Sequence, residues 1–165
     1  MNRREVVVAP LCEATLIGAA GVLALLLHKP LFFASLGPTA YEIVETPGSP
    51  TASPYNIVMG HLTGVVCGFA ALAITHAWST PAVSTSNISP FRVIAAVLAA
   101  ILTVAGTYLL RAQQPAALST TLMVATGSMQ RLQDGVAIMG GILLITALGE
   151  PIRQWRIRQI PPSTH

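Results

Sequence analysis

Residues 35–61 read SLGPTAYEIVETPGSPTASPYNIVMGH. Helix-breaking residues crowd this stretch: Gly37 and Pro38, then Pro47, Gly48, Pro50 and Pro54. It lies between two strongly apolar runs, and Gly60-His61 opens the second. Apolar runs of about 20 residues match the ~30 Å hydrocarbon core of a bilayer. Non-helical backbone at that depth survives only against protein or a water-filled cavity. The pattern predicts a polytopic membrane protein whose polar backbone is folded back toward a protein-lined site.

Composition points the same way. Of 165 residues, 53% are hydrophobic and 9% charged, with a mean hydropathy of +0.66. Soluble domains carry about 25% charged residues. The length fits one membrane domain over 10–150, with a cytoplasmic N-tail over 1–9 and a basic cytoplasmic C-tail over 151–165. Nine Lys and Arg stand against six Asp and Glu, and Arg3, Arg4, Arg153, Arg156 and Arg158 lie in the tails. Such tails read as topology signals and lipid headgroup contacts. No basic stripe with interleaved aromatics is present, so the bilayer is an expected partner and nucleic acid is not. Cys12 and Cys67 fall in apolar runs and read as small hydrophobes. No Cys/His spacing points to a metal. The opening residues resemble a signal peptide superficially. Glu13 interrupts the run and no small-residue cleavage site follows, so it reads as a retained first span.

Four runs are long enough to cross a membrane: 10–27, 57–77, 91–110 and 135–148. Pro10 suits a first helical turn, with Glu13 near the positive end of the dipole. Asn56 is placed to cap the second helix. Gln133-Asp134 extend the fourth backward, and Gly149-Glu150-Pro151 close it. Two apolar pieces, 30–44 and 115–127, are short for spans at ~13–15 residues and fit re-entrant or broken helices. Both follow a long span, a polar link and a proline, and both carry hydroxyls and glycine. The first has His28-Lys29-Pro30 and then Ser35 to Thr39; the second has Gln113-Gln114-Pro115 and then Ser119 to Gly127. The parallel suggests a two-fold internal repeat, and paired broken segments are a sequence pointer to a transport site. The fold class expected is an all-α polytopic membrane protein of four long transmembrane helices plus two short re-entrant or broken segments.

Basic residues divide six to three between the two sides whether the chain crosses four times or six. The positive-inside bias then places both termini in the cytoplasm. The membrane expected is a bacterial inner membrane.

Gly60, Gly64 and Gly68 form two overlapping GxxxG steps, which let another helix approach closely. His61 lies beside this strip. An ionisable residue there reads either as a packed core histidine or as a group that contacts an ion or relays a proton. Glu13, Glu42, Glu45 and Asp134 read as interfacial, as do His28 and His76 at helix ends. Ser35, Thr39, Ser119, Thr120 and Thr121 either bond their own backbone or face a polar path. Pro30 and Pro115 mark two half-helix N-termini, whose N–H groups and dipole favour small anions. No GxSxG, HExxH or phosphate-cradling loop occurs, so an enzyme is not expected and no cofactor is implied.

The run Ser35-Leu-Gly-Pro-Thr-Ala, followed by Pro47, Ser49, Pro50, Ala52, Pro54, Asn56, Gly60 and His61 in register, resembles the HPP family of integral membrane proteins. The family's His-Pro-Pro-Ala-Gly-Ala motif corresponds here to residues 113–118, where Gln113-Gln114 replace its first two residues and only Pro115 and Ala116 match. Tyr55 stands where relatives carry a basic residue. The resemblance implies a compact helical membrane domain and, from some members, transport of nitrite. It therefore implies a small-solute transporter or channel-like protein for a small inorganic anion such as nitrite. The path residues would be Ser35, Thr39, Asn56, His61, Gln113, Gln114 and Ser119, with the glutamines and Ser119 as neutral donors where relatives have His-Pro. Gly60, Gly64 and Gly68 would pack helices, and the size leaves room for a homo-oligomer. The alternative is a non-transporting membrane scaffold or subunit of a larger complex.

Overall fold

The structure is a computed structural model and describes residues 5–28, 30–85 and 88–159. Arg3, Arg4 and Lys29, assigned above to topology, lie outside the described residues, as does the C-tail beyond Gln159.

Six α-helices and two short 3-10 turns, with no strand, make up the described residues. They are α1 (Glu5–Leu27), α2 (Leu36–Glu45), α3 (Pro54–Ile74), α4 (Pro90–Leu109), α5 (Ala116–Ala125) and α6 (Leu132–Gln159). Four of them, α1, α3, α4 and α6, are long and apolar enough to cross a membrane. The protein is thus an all-helical integral membrane protein. Its outward side chains are largely aliphatic, as in Leu25, Leu26, Val97, Ile101 and Val136, which suits lipid contact.

The direction of each helix follows from what its ends touch. Arg156 near the end of α6 donates to Glu5 at the start of α1, 2.7 Å away, and to the carbonyl of Val44 near the end of α2, 3.0 Å away. Arg153 donates to the Pro47 carbonyl in the following loop. Tyr55, in the first turn of α3, donates to the Leu110 carbonyl just past α4. At the opposite end, Arg92 in the first turn of α4 donates to the carbonyl of Ala125, the last residue of α5. Gly135 in the first turn of α6 packs on Phe69 in the second half of α3. The six helices therefore alternate in direction, and α1 begins where α6 ends. The short pieces do not dip in and return to the face they left. Each carries the chain toward the opposite end as a broken pass, a half-helix led in by irregular backbone.

Several boundaries differ from those expected. α1 begins at Glu5, so Pro10 sits inside the helix and Glu13 beyond its first turn. The salt bridge from Arg156 to Glu5 holds the extra turn in place. α2 begins at Leu36 and not near Pro30, because residues 30–34 are non-helical. α3 is capped by Ser53, whose side chain accepts from the Asn56 N–H, with Pro54 at the first helical position. Asn56 is therefore inside the helix and is not its cap. Gly149-Glu150-Pro151 do not close α6, which runs on to Gln159 with Pro151 inside it. A mid-helix proline removes one backbone bond and costs about 3 kcal/mol. Here a bidentate Arg153–Glu150 pair and the buried Arg156 fix the turns on its far side.

Arg153 and Arg156 thus point inward to carbonyls, whereas Arg158 is exposed. Cys12 and Cys67 are both free thiols.

The core lies around α3, which packs against α4, α5 and α6. Its largest apolar cluster joins Leu16, Ile43, Ile57, Leu72, Ile138, Ile142 and Ile145 from α1, α2, α3 and α6. The glycine strip on α3 receives the short helix α5. A Cβ on Gly64 would fall 2.7 Å from the Ala117 carbonyl oxygen, and one on Gly68 would fall 2.8 Å from Val124. Only glycine permits this approach, which brings the hydroxyls of α5 to the depth of His61.

Candidate functional site

His61 stands on α3 between the two half-helices and is fully buried. Its Nε2 lies 3.0 Å from the Thr39 hydroxyl on α2, and its Nδ1 lies 2.7 Å from the Thr120 hydroxyl on α5. Thr120 in turn donates to Ser35 Oγ at 2.8 Å. That leaves the Thr120 oxygen to accept from Nδ1–H. The single hydroxyl hydrogen of Thr39 is shared between His61 Nε2 and the Ser35 carbonyl. Ser35, Thr39 and Thr120 are all fully buried, so the four side chains form one dry polar seam. A second hydroxyl pair, Thr103 with Thr121 at 2.9 Å, extends it toward α4.

The local sequence explains this placement. Ser35 occupies the N-cap position of α2 but makes no capping bond, so its hydroxyl is available to Thr120. Thr39 lies one turn further on the same helix, and its hydroxyl also reaches the Ser35 carbonyl at 2.8 Å. Ser and Thr in apolar helices commonly bond back to the preceding turn, and here the oxygen has a further contact across helices.

The half-helix N-termini spend most of their first N–H groups on backbone carbonyls of the preceding turn. At α2 the N–H groups of Leu36, Gly37 and Thr39 are taken by the carbonyls of Phe33, Ala34 and Ser35, and Pro38 has none. At α5 the N–H groups of Ala117 and Leu118 bond to Gln114 and Pro115, and Pro115 has none. An anion site at a helix end needs N–H groups free to point at the ligand.

A cavity of about 450 Å³ opens beside the seam, lined by Pro38, Tyr41, Glu42, Thr46, Ser49, Thr51, Pro115, Ala116 and Ser119. It is bounded by α2, the loop after it and the first turn of α5. One carboxylate and several hydroxyls face it, and no Lys, Arg or His lines it. Glu42 Oε2 is buried with no hydrogen-bond partner, and so are both side-chain polar atoms of Gln114. Gln114 and Thr51 are the polar neighbours of the Glu42 carboxyl. Unpaired buried polar atoms are rare in folded proteins, and each calls for a reason.

The path residues named from the sequence fall into three groups. Ser35, Thr39 and His61 meet in the seam. Ser119 lines the cavity, and Gln114 lies behind its wall, 4% exposed. Asn56 and Gln113 form a brace, Asn56 Nδ2 donating to the Gln113 carbonyl at 3.1 Å, with the Gln113 side chain's residue exposed. Gly60 receives Gln114, whose Cβ would be 2.5 Å from an added methyl. Sequence reasoning read Glu42 as interfacial and gave Thr120 no place of its own in the path. Pro38, Tyr41 and Glu42 share one short helix, but only its packing opposite Pro115 and Ser119 makes the cavity, and no spacing in the sequence signals that.

Among the described residues no group of three or more His, Cys, Asp or Glu could hold a metal ion. A family model described as HPP, transmembrane region, matches residues 1–155. No curated protein and no solved structure matches the chain.

Proposed function

The chain belongs to the HPP transmembrane family, and from that premise we propose that it is a small-solute transporter or channel-like protein rather than an enzyme. The observation that carries this reading is the polar seam of Ser35, Thr39, His61 and Thr120 between two broken passes, beside an open polar cavity. Broken helices meeting at a buried polar centre are how helical transporters build a path through hydrocarbon. Solute enters from the cavity, and movement of α2 against α5 opens the seam.

Nitrite is the first substrate to test, since the family resemblance points to it. An acid-lined mouth without a basic side chain admits a bare anion poorly, so the anion needs a counter-charge on its way in. With both termini cytoplasmic, the cavity opens to the cytoplasm, because it lies near the end of α2 where α1 begins.

Vesicles reconstituted with the purified chain and loaded with nitrite, nitrate or formate test the proposal. Flux above that of empty liposomes is the expected result, and its absence for every solute sinks the reading. A non-transporting scaffold is the second reading, favoured by the contact of both His61 ring nitrogens with hydroxyls of other helices. It predicts co-purification with a larger membrane partner after gentle extraction.

A further inference from the structure

We propose that Glu42, Gln114 and the surrounding hydroxyls form a binding site for a monovalent metal cation at the floor of the cavity.

The donor set is the first argument. Glu42 supplies a carboxylate and Thr46, Ser49, Thr51 and Ser119 supply hydroxyls around the cavity, and Gln114 supplies an amide oxygen from just behind its wall, beside Glu42. Oxygen-only sets suit hard cations and not the soft or borderline transition metals.

The second argument is the unpaired atoms. Glu42 Oε2 and Gln114 Oε1 and Nε2 are buried and have no partner. A buried polar group left unsatisfied costs about 1–3 kcal/mol, more when charged. A cation beside the two oxygens satisfies the carboxylate and the amide oxygen together, with the Gln114 amide and Thr51 next to the carboxyl.

Charge is the third argument. No Lys or Arg lines the cavity: at this end of the bundle Arg111 is exposed just past α4, and the two inward-pointing arginines are already committed. Arg153 is held by Glu150 and the Pro47 carbonyl, and Arg156 by Glu5 and the Val44 carbonyl. On α3, His61 is bonded on both nitrogens. The carboxylate of Glu42 therefore has no protein counter-ion in the cavity wall. A single carboxylate balances a single positive charge, whereas a divalent ion would leave a net charge in a largely apolar surround, which favours the monovalent ion. A volume of about 450 Å³ leaves room for the ion, its remaining waters and a small solute.

The existence of the site does not depend on transport. Its role as the counter-charge that admits an anion rests on the transport reading above.

The test is equilibrium binding of radioactive sodium to the purified protein in detergent, with potassium as competitor and N-methylglucamine as the inert cation. Saturable binding near one ion per chain is expected, together with a thermal midpoint that rises with sodium or potassium. Glu42→Gln should abolish both effects, and Gln114→Leu should weaken binding at least tenfold. In N-methylglucamine both variants should unfold at or above the wild-type midpoint, since each removes buried polar atoms that no cation then satisfies. Should Glu42→Gln fail to fold, Thr51→Val serves in its place, with an expected severalfold rise in half-saturating sodium.

No saturable binding overturns the site. So does an equal response in Glu42→Gln, or a midpoint that follows pH and ignores the metal cation, which would make the occupant a proton. Binding in a protein that moves no solute leaves the site standing and removes the transporter. Flux that is indifferent to sodium and potassium leaves the transporter standing and overturns the role of the site as counter-charge.

Discussion

Nδ1 of His61 lies 2.7 Å from the hydroxyl of Thr120, across 59 residues of sequence. Its other ring nitrogen lies 3.0 Å from Thr39. One imidazole thus joins two half-helices that share little direct contact of their own. Truncation leaves two buried hydroxyls short of a partner and opens a cavity. His61→Ala is expected to lower stability by about 2–4 kcal/mol, and Thr120→Val by about 1–3 kcal/mol. Thermal unfolding in detergent measures both. A wild-type midpoint in His61→Ala would show that the ring does not hold the half-helices together.

The glycine strip gives a graded series. An added methyl at Gly64 meets backbone oxygen at 2.7 Å, and at Gly68 the branched Val124 at 2.8 Å, whereas at Gly37 and Gly48 it meets nothing within 4 Å. Neither Ala117 nor Val124 can turn aside as the tip of a long side chain would. Gly64→Ala and Gly68→Ala should each cost about 1–3 kcal/mol, the range for overpacking. Gly37→Ala and Gly48→Ala should fold with wild-type midpoints. Equal behaviour of all four would mean that α5 does not rest on this strip.

Much of this fold is legible in the residues. The long apolar runs give α1, α3, α4 and α6, since hydrophobic length is a direct signal of a span. The two broken segments are legible from Pro30, Pro115 and the clustered hydroxyls, although the helix of the first begins only at Leu36. The extension of α6 past Pro151 is not, because proline reports a local cost and the opposing gain comes from Arg156 bonding to Val44 and Glu5, distant in sequence. The same holds for the start of α1. At the site, His61 stands out as a lone ionisable residue in an apolar run. Its pairing with Thr39 and Thr120 and the cavity beside Glu42 depend on how α2 and α5 face each other. Tertiary packing decides that, and periodicity does not carry it.

Arg92 is buried at the start of α4 and bonds to the carbonyls of Thr80, Pro81 and Ala125 and to the Gln130 side chain. It ties the loop before α4 to the C-terminal end of α5, where a cation also suits the helix dipole. Gly127, at φ +90°, brings the backbone against the guanidinium, and a Cβ there would sit 2.6 Å from Nη2. Lysine keeps the charge but lacks the fork that reaches several acceptors. Arg92→Lys should therefore destabilise by about 1–3 kcal/mol through orphaned carbonyls. Gly127→Ala should be destabilised as well, by clash and by its positive φ. Protease resistance of the 80–90 loop measures the outcome, and unchanged resistance in Arg92→Lys would show that charge alone suffices.

His76 follows the end of α3 with φ +53°, a left-handed conformation at a helix terminus. That region costs an L-residue roughly 1–2 kcal/mol and costs glycine little, although glycine loses more freedom on folding. The imidazole takes no part in the His61 seam or the cavity lining, so the substitution leaves both intact. His76→Gly should therefore raise stability by a net of about 0.5–1 kcal/mol. Calorimetric or fluorescence-based unfolding in detergent reads the shift. A lower midpoint in His76→Gly would mean that the side chain makes a stabilising contact that outweighs the backbone strain it relieves.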